Sequence, residues 1–287
     1  MTSIVTYNIQ YCKGLDGKVD VERIADCVSA ADIIAFQEID RYWPRTENVD
    51  QLSKLAELLP GYYHCFGAGV DLHLSGDSPE NNRRRQFGNA IFSKFPILSS
   101  RHHLLPKRGS IGPLSIQRSA LEATILCNEI KLRIYSLHLT HLSCETRLPQ
   151  LQHLMEVHRN ATTEGAPING DLAGFDWQQG VESQEVPENA ILLGDFNFQP
   201  DSNEYLYLVG PVSDYGGHIT PPTGFVDAWC QAGHEKHSGA TSDVNDIPAR
   251  LDYAFVSSPI RDRIKGCSVD ELAMGSDHKP LWLEMDI

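Results

Sequence analysis

A carboxylate and an amide stand two residues apart at the end of an apolar run, in the segment ILLGDFN, residues 191–197. In an extended backbone alternate side chains share a face, so Asp195 and Asn197 should point one way and Phe196 the other. An unpaired charge directly after a buried strand is costly, so we expect Asp195 to have a cation or hydrogen-bond donors near it. The segment therefore predicts a polar site anchored by a buried aromatic ring.

Other apolar segments also end in acids, amides or imidazoles. These residues are Asn8 in YNIQ, Glu38 in QEID, His138 and His141 in LHLTH, Arg250 and Asp252 in ARLDY, and Asp277 and His278 in GSDHKP. Taken singly, Asn8 is typical of a turn or cap, Glu38 of a loop charge and His138 of a hydrogen-bonded core histidine. So many polar strand ends in one chain favour a shared site over unrelated roles.

The elements that must position these side chains are strands with a few helices. Helical periodicity covers VDVERIADCVSA with Asp20 as N-cap, VDQLSKLAELLPG, and about residues 145–159. Strand patterns cover SIVTYNI, DIIAFQE, YYHCFGAGV, GNAIFS, PILSSRHHL, SALEATIL, IKLRIYSLHL, AILLGDF, RLDYAFV, IKGCSV and PLWLEMDI. We expect a single domain, 1–287, with loop insertions at about 72–86 and 162–189.

The charge and cysteine content limit the class of protein. The balance of 24 Lys and Arg against 38 Asp and Glu gives a formal charge of -14, which disfavours non-specific nucleic-acid binding unless a local patch overrides it. The 7 scattered cysteines form no CxxC pair and fit a reducing compartment. There is neither a signal-peptide pattern nor a long apolar stretch. We expect a cytoplasmic monomer without a membrane span.

In their order and spacing these motifs resemble the endonuclease/exonuclease/phosphatase superfamily. These metal-dependent phosphoesterases include pancreatic-type deoxyribonucleases, abasic-site endonucleases, neutral sphingomyelinases and inositol polyphosphate 5-phosphatases. The resemblance runs from TYNIQ to SDHKPLWLEM, and its most specific part is GDFN together with SDH and an upstream QE. It implies an α+β fold, a four-layer αββα sandwich of two mainly antiparallel sheets packed face to face with helices outside, and strand ends gathered in one cleft.

The resemblance implies catalytic roles for five residues. Asp195 would orient or deprotonate the attacking water, and Asn197 would bond to that water or to a phosphate oxygen. His278 would contact the scissile phosphate, while Asp252 would accept from its other ring nitrogen and fix the tautomer. His138 would supply a second donor to the phosphate or to the leaving group.

Ligand chemistry and the resemblance also indicate residues that would bind a metal ion and the substrate. Mg²⁺ or Mn²⁺ prefers hard oxygen ligands, which fits Glu38 with Asn8, and Asp277 would complete the set. The segment QFGNAIFSKFPI is similar to the Gly-Asn strand of the superfamily and places Asn89 near the site. Arg118 in QRSALEA would clamp a phosphate, although an ordinary surface ion pair explains this residue equally well.

Two further aspartates have weaker claims to a site role. Asp171 in NGDLAGF also follows a glycine, but no apolar strand precedes it, so we assign it no role. Asp227 in GFVDAW recurs in similar sequences, and we favour a helix N-cap for it.

Charge guides the expectation for the substrate. The main basic cluster is residues 83–85, in a predicted loop at the cleft edge, whereas an acidic segment at 164–188 directly precedes the strand of ILLGDFN. We therefore expect a small phosphate ester or a lipid-type phosphodiester head group as substrate. A DNA or RNA nuclease is the alternative within the superfamily. A non-catalytic scaffold is a different class, and the presence of every key motif residue argues against it.

Overall fold

The computed structural model describes residues 1–170 and 185–287. The long strands of the first half are β1 Thr2–Asn8, β2 Ile33–Arg41, β3 Tyr63–His73, β4 Arg84–Ser93, β5 Ile97–Leu104, β6 Ser119–Cys127 and β7 Ile130–His138. The second half contributes β8 Ala190–Asp195, β9 Phe225–Asp227, β10 Ser242–Val244, β11 Ile247–Ala249, β12 Asp252–Ser257, β13 Ile264–Val269 and β14 Leu281–Met285. The α-helices are α1 Val21–Val28, α2 Gln51–Leu58, α3 Cys144–Glu164, α4 Asn203–Val209 and α5 Ala228–Gln231.

The strands form two six-stranded sheets and a small separate hairpin of β10 and β11. The first sheet has the order β13-β14-β1-β2-β4-β3, and the second has the order β5-β6-β7-β8-β12-β9. Each sheet contains one parallel pair, β1 with β2 and β7 with β8, among antiparallel neighbours. Both parallel pairs end where the polar motifs begin, which brings the motifs to one edge of the structure.

Three apolar clusters separate four layers, as the resemblance implied. The central cluster packs the two sheets face to face and includes Ile4 and Ile33 from the first sheet and Leu121 and Ile191 from the second. A second cluster packs α1 and α2 on the outer face of the first sheet, and a third packs α3 and α4 on the outer face of the second. The fold is therefore an αββα sandwich, and the expected fold class is confirmed.

The helices begin where the sequence places their caps. Asp20 accepts a hydrogen bond from the backbone N–H of Arg23 at the start of α1, and Asp50 caps α2 through Ser53 in the same way. Helix α3 is longer than the predicted 145–159, because it begins at a Ser143 capping box and continues to Glu164. None of the described helices is both long and apolar enough to cross a membrane.

The two predicted loop insertions differ from the structure in different ways. Strand β3 continues to His73 and β4 begins at Arg84, so the ends of the predicted 72–86 loop are paired strand. Side-chain polarity on this exposed hairpin hid the strand pattern from the sequence. Most of the second insertion, 171–184, including Asp171, lies outside the described residues.

One buried histidine makes stability depend on pH. His158 in α3 packs on Phe225, and its Nδ1 accepts a hydrogen bond from Nη2 of Arg133 at 3.0 Å. Burial, assisted by the Arg133 charge, lowers the pKa of His158 from 6.5 to about 4. Between these two pH values the unfolded chain binds a proton at His158 that the folded chain does not bind. The protonation of His158 therefore leaves stability unchanged above pH 6.5 and lowers it as the pH falls toward 4.

We expect the protonation of His158 to lower the free energy of unfolding by about 2 kcal/mol when the pH is lowered from 7 to 5. Urea unfolding at both pH values measures the loss. His158→Gln keeps an acceptor for Arg133 but cannot be protonated, so its stability should fall less over the same interval. An equal pH dependence in the two proteins would show that folding does not lower the pKa of His158.

Candidate active site

Three neighbouring strands of the second sheet place three polar side chains side by side. The parallel register sets His138 at the end of β7 opposite Asp195 at the end of β8, and the antiparallel register sets Asp252 opposite Asp195 on the other side. The first sheet supplies Asn8 from the end of β1 and Glu38 from β2. The motifs therefore meet at the edge where the two sheets face each other.

Asp195 is the centre of this cluster and is only 2 % exposed. Its Oδ2 accepts a hydrogen bond from Nδ2 of Asn8 at 3.0 Å, and its Oδ1 accepts from the backbone N–H of Asn197 at 2.8 Å. Nε2 of His138 lies 3.2 Å from Oδ2, and Nε2 of His278 lies 3.7 Å from it. Burial raises the pKa of Asp195, while the charge of His278 opposes that rise. The expected donors around Asp195 are present.

The local backbone explains the order Gly-Asp-Phe-Asn. Gly194 has φ +149°, and a Cβ there would lie 1.8 Å from the carbonyl oxygen of Leu137 in the neighbouring strand, so only glycine fits. Phe196 turns away from the site and is fully buried against the aromatic cluster under α4. Asn197 then adopts φ +53°, which ends the strand and returns its amide toward the site.

His278 is held between two carboxylates. Its Nδ1 donates to Oδ2 of Asp252 at 2.7 Å, and its backbone N–H donates to Oγ of Ser276 at 3.2 Å. Burial by itself would lower the pKa of His278, but the negative charges of Asp252 and Asp195 raise it well above 6.5. The ring is therefore a cation near neutral pH, and its free Nε2–H faces the site.

His138 is neutral and has a contact on each ring nitrogen. Burial, followed by the charge of Arg118, lowers the pKa of His138 well below 6.5. Nη1 of Arg118 donates to Nδ1 of this ring at 3.1 Å, and Nε2 lies 3.2 Å from Oδ2 of Asp195 and 3.0 Å from Nδ2 of Asn197. Because a guanidinium can only donate, the Arg118 contact favours the ring proton on Nε2, where Asp195 can accept it. Nη2 of Arg118 reaches Nδ1 of His141 at 3.5 Å.

Arg118 itself is buried, with 5 % of its surface exposed. The alternative of an ordinary surface ion pair is therefore wrong for this residue. Burial lowers the pKa of its guanidinium, while the carboxylates of Glu38 and Asp195 act in the opposite direction. The position places a permanent positive charge beneath the site.

Glu38 enters the site through a distortion of β2. The register with β4 shifts between Phe36 and Ile39, and Glu38 has φ +65°, a backbone conformation that costs about 1–3 kcal/mol for a side chain of this kind. Burial raises the pKa of its carboxyl, an effect that Arg118 opposes. Within the described residues no lysine or arginine forms an ion pair with this carboxylate, and its neighbour at 3.7 Å is the neutral His138 ring.

Oxygen atoms of two further side chains lie near Glu38. Asn8 offers Oδ1, which accepts the backbone N–H of Gln10 at 3.1 Å, and Oδ2 of Asp277 accepts from Nε2 of Gln10 at 2.6 Å. In the described part of the chain no three His, Cys, Asp or Glu side chains form a preassembled metal cluster. The set of Asn8, Glu38 and Asp277 is nevertheless one of hard oxygen donors, and a partly exposed carboxylate without a cationic partner suits a divalent cation.

Asn89 lies beneath the site rather than in it, and Asp227 has the capping role expected for it. Nδ2 of Asn89 donates to the carbonyl oxygens of Ser119 at 2.9 Å and Ser136 at 3.3 Å, so its amide joins the two sheets beneath the site. This geometry favours a positioning role for Asn89. Asp227 caps α5 through the N–H of Trp229, as expected, and also forms a buried ion pair with Arg250.

Several positioning residues were not predicted. Oγ of Ser276 donates to the carbonyl oxygen of Asn8 at 2.7 Å, which ties the His278 loop to β1. Oγ1 of Thr241 accepts the N–H groups of Leu251 and Asp252. Ser276 and Gln10 lie inside recognised motifs and could have been found from them, but Thr241 is distant in sequence and carries no signal.

Two cavities flank the site. A polar cavity of about 520 Å³ lies on the side of Asn197, Asp277 and His278. A cavity of about 560 Å³ lies on the other side, with Glu38 and Trp43 among its walls. A compact substrate at the centre would therefore have room for one substituent on each side.

The basic cluster at 83–85 is not a free positive patch. Arg83 pairs with Asp77 at 2.7 Å, and Arg84 at the start of β4 pairs with Asp71 at 2.5 Å. Arg85 donates to the carbonyl oxygen of Tyr42 at 3.3 Å. The hairpin thus neutralises two of these arginines with its own acids.

The fold and this edge arrangement are those of a family of phosphate-ester hydrolases. The family model described as Endonuclease/Exonuclease/phosphatase family matches residues 5–278, and the chain belongs to that family. Members of the family are hydrolases that act on phosphate esters. Among curated protein sequences, none matches this chain significantly.

Solved structures of low sequence identity share the fold. The mannosyl-6-phosphatase Bt3783 of Bacteroides thetaiotaomicron VPI-5482 aligns over 100 % of both chains with a TM-score of 0.67 and 19 % identity. A family protein of Leptotrichia buccalis aligns over 100 % of both chains with a TM-score of 0.65 and 18 % identity. Truncated TDP2 of Caenorhabditis elegans has a TM-score of 0.59 and 17 % identity, with 98 % of this chain and 96 % of that chain covered.

Proposed function

We propose that this protein is a divalent-metal-dependent phosphoesterase that hydrolyses a compact phosphate ester by in-line attack of an activated water molecule. The observation that carries the proposal is the position of Asp195, a buried carboxylate that meets Asn8 of the opposite sheet, His138 and His278 at one point. A buried acid with a raised pKa in a cleft is a general-base candidate.

Asp195 would accept the proton of the attacking water. As the water oxygen bonds to phosphorus, the bond from phosphorus to the leaving alcohol oxygen breaks, and the leaving oxygen takes its proton from solvent. The amide of Asn197 would hold the water or a phosphate oxygen. Its backbone N–H already fixes Oδ1 of Asp195, so the acid cannot rotate away from the water.

The phosphate oxygens would be bound by His278 and His138. His278 donates from Nε2 as a cation, and Asp252 keeps the ring in that orientation through Nδ1. Because Arg118 occupies Nδ1 of His138, the Nε2–H of this ring faces Oδ2 of Asp195 at 3.2 Å and would donate to a phosphate oxygen bound beside that carboxylate. Preorganised donors of this kind stabilise charge that develops in the transition state.

Glu38, Asn8 and Asp277 would hold Mg²⁺ or Mn²⁺, which when bound neutralises phosphate charge and stabilises the leaving oxygen. Glu38 is the central ligand in this proposal, because its carboxylate is partly exposed to the site and has no lysine or arginine as ion-pair partner among the described residues. The strained backbone at Glu38 supports this assignment, since strain persists where function requires it.

A compact ester, either a monoester or a diester with a small or lipid-type head group, fits better than duplex DNA. A nuclease needs free Lys and Arg on the rim to neutralise the phosphate backbone. Arg83 and Arg84 are paired with acids of their own hairpin, and the formal charge is -14. The free thiols of all the cysteines support a reducing cytoplasm, and we propose that the protein acts there as a monomer.

The purified protein, assayed with Mg²⁺ or Mn²⁺, tests the proposal. The substrates are bis-(4-nitrophenyl) phosphate, 4-nitrophenyl phosphate, phosphatidylcholine and plasmid DNA. Turnover of small esters that chelation abolishes and added Mg²⁺ restores is the expected result. Efficient, salt-sensitive nicking of plasmid DNA would instead establish a nuclease.

Glu38→Gln should raise the Mg²⁺ concentration for half-maximal activity by roughly tenfold to a hundredfold, because a neutral amide is a poorer ligand than a carboxylate. Metal titration of activity and calorimetric Mg²⁺ binding should shift together. Glu47→Gln, at an exposed acid nearby in sequence, is the control and should leave both unchanged. Unaltered Mg²⁺ affinity in Glu38→Gln would remove Glu38 from the ligand set.

A further inference from the structure

The cavity beside Glu38 differs in character from the rest of the site. Its volume is about 560 Å³, and its walls come from the tip of β3, the start of β4, the segment after β2 and the loop between β5 and β6. Val70, Leu72, Phe87, Leu114 and Ile116 contribute apolar side chains to it. Leu114 is 71 % exposed and Leu72 is 49 % exposed, so apolar surface faces solvent at the mouth.

The walls are held in place by backbone contacts. A Cβ at Gly69 would lie 2.6 Å from the carbonyl oxygen of Gln117, so the bulge in β3 and the β5–β6 loop touch through a glycine. Nε2 of Gln117 donates to the carbonyl oxygen of Leu105 at 2.7 Å and closes the base of that loop. Nε1 of Trp43 donates to the carbonyl oxygen of Gln86 at 2.7 Å, which fixes the aromatic wall. The cavity is therefore enclosed by walls that hydrogen bonds and backbone contacts hold in place.

One anchored cation lies in the same cavity. Nε and Nη2 of Arg45 donate to the buried carboxylate of Asp40, and the guanidinium lies 4.2 Å from the ring centroid of Tyr11 and 4.9 Å from that of Trp43. Among the described residues, its Nη1 donates to no acceptor. Aromatic faces and one spare donor around apolar walls suit a molecule that is mostly apolar with a polar point of attachment.

The position of the cavity relates it to the leaving group of the proposed reaction. Ring atoms of His138 lie 3.2 Å from Asp195 on one side and 3.7 Å from Glu38 on the other. In-line attack requires the leaving group to depart on the side opposite the water, and the water belongs to Asp195 in the proposed function. The leaving oxygen is therefore directed to the Glu38 side, where this cavity opens.

We propose that the cavity between the β3–β4 hairpin and the β5–β6 loop binds the apolar alcohol portion of the substrate, so that the preferred substrates are phosphate esters of alkyl or aryl alcohols. The inference rests on the proposed function for its orientation, but the cavity itself is a feature of the described residues. Sugar phosphates and unbranched polar esters lack the group that would fill it. Burial of the alkyl chain supplies affinity in proportion to its length until the cavity is full.

A homologous series of primary alkyl phosphates, ethyl, butyl and hexyl, with their methyl phosphodiesters, tests the inference. Primary alcohols of this series have similar basicity, so rate differences report binding rather than leaving-group chemistry. We expect kcat/KM to rise by roughly tenfold to a hundredfold from ethyl to hexyl. Ethylphosphonate and hexylphosphonate, which are not hydrolysed, should show a Kd ratio in the same direction by calorimetry with Mg²⁺ present.

Leu114→Ser should reduce the hexyl-to-ethyl ratio in both measurements. Ile111→Ser is the matched control, because Ile111 is a fully exposed residue of the same loop and does not line the cavity. The ratio in that variant should equal the ratio in the unmodified protein. Because each comparison is made within one variant, a change in overall activity does not affect it.

The outcomes separate the inference from the proposed function. Hydrolysis without any dependence on chain length, or equal binding of the two phosphonates, overturns the cavity assignment and leaves the phosphoesterase intact. Absence of all hydrolysis with tighter hexylphosphonate binding retains the cavity and overturns the enzyme. Phosphatidylcholine vesicles identify the source of the alkyl chain. Their hydrolysis would show that the protein takes its substrate from a bilayer, whereas hydrolysis of the soluble esters alone would show that the substrate is a soluble ester.

Discussion

Asp195→Asn should lower kcat by roughly a hundredfold to ten-thousandfold while the fold is retained. The amide has the shape of the carboxylate and can still accept from the N–H of Asn197, but it cannot take a proton from water. It also removes one of the two negative charges, the other being that of Asp252, that raise the pKa of His278. Two functions of the site therefore fail in one substitution.

Steady-state kinetics with 4-nitrophenyl esters measure the loss, and thermal unfolding confirms the fold. Asp201→Asn, at a half-exposed acid paired with Lys236, should keep normal turnover. Asn197→Ala and His278→Ala should be comparably severe, and each should add little to Asp195→Asn because the residues act as one unit. Normal turnover in Asp195→Asn would show that another group activates the water.

Asp252→Asn should cost on the order of a thousandfold in kcat/KM, by the logic that applies when a buried acid orients a catalytic histidine. The effect on pH dependence distinguishes chemistry from simple structural damage. With Asp252 ionised, the pKa of His278 is raised and the ring stays cationic as pH increases. Loss of that charge lowers the pKa of His278, so activity should disappear at a lower pH than in the unmodified protein.

The pH profile of kcat/KM on its alkaline side is the measurement for this variant. Asp227→Asn is a matched control, since Asp227 is also a buried carboxylate at a strand end but pairs with Arg250 instead of a histidine. It should lower stability and leave the alkaline limb in place. An alkaline limb that is unchanged in Asp252→Asn would contradict a cationic His278 in the reaction.

The sequence predicts the fold and most of the cluster because the relevant signals are local. The apolar run before Asp195 predicts a buried strand, and β8 is buried along its whole length. Alternation would place Asn197 on the face of Asp195, but β8 ends at Asp195, and the φ of +53° at Asn197 is what returns its amide to the site. The pairing of that strand with β7 and β12 is not local. The adjacency of His138, Asp195 and Asp252 was inferred from family resemblance, since periodicity alone does not determine strand order.

Burial was harder to predict than secondary structure. Arg118 follows a polar stretch and is of a residue type usually found on the surface, yet it is buried beneath the site because it directly precedes β6, an interior strand of the second sheet. The reverse holds for Arg83 and Arg84, whose acidic partners Asp77 and Asp71 come from the same hairpin. Ion pairs across a hairpin depend on register, which the sequence of this polar segment does not specify.

The site also spans the interface between the sheets, and this has a consequence for biosynthesis. Asn8 in the first sheet donates to Asp195 in the second, and His278, which precedes the last strand of the first sheet, binds Asp252 in the second. Neither half contains a complete set of reacting groups. A chain emerging from the ribosome should therefore remain catalytically silent until β14 has been made and has paired with β1, so hydrolytic activity begins only when the sandwich closes.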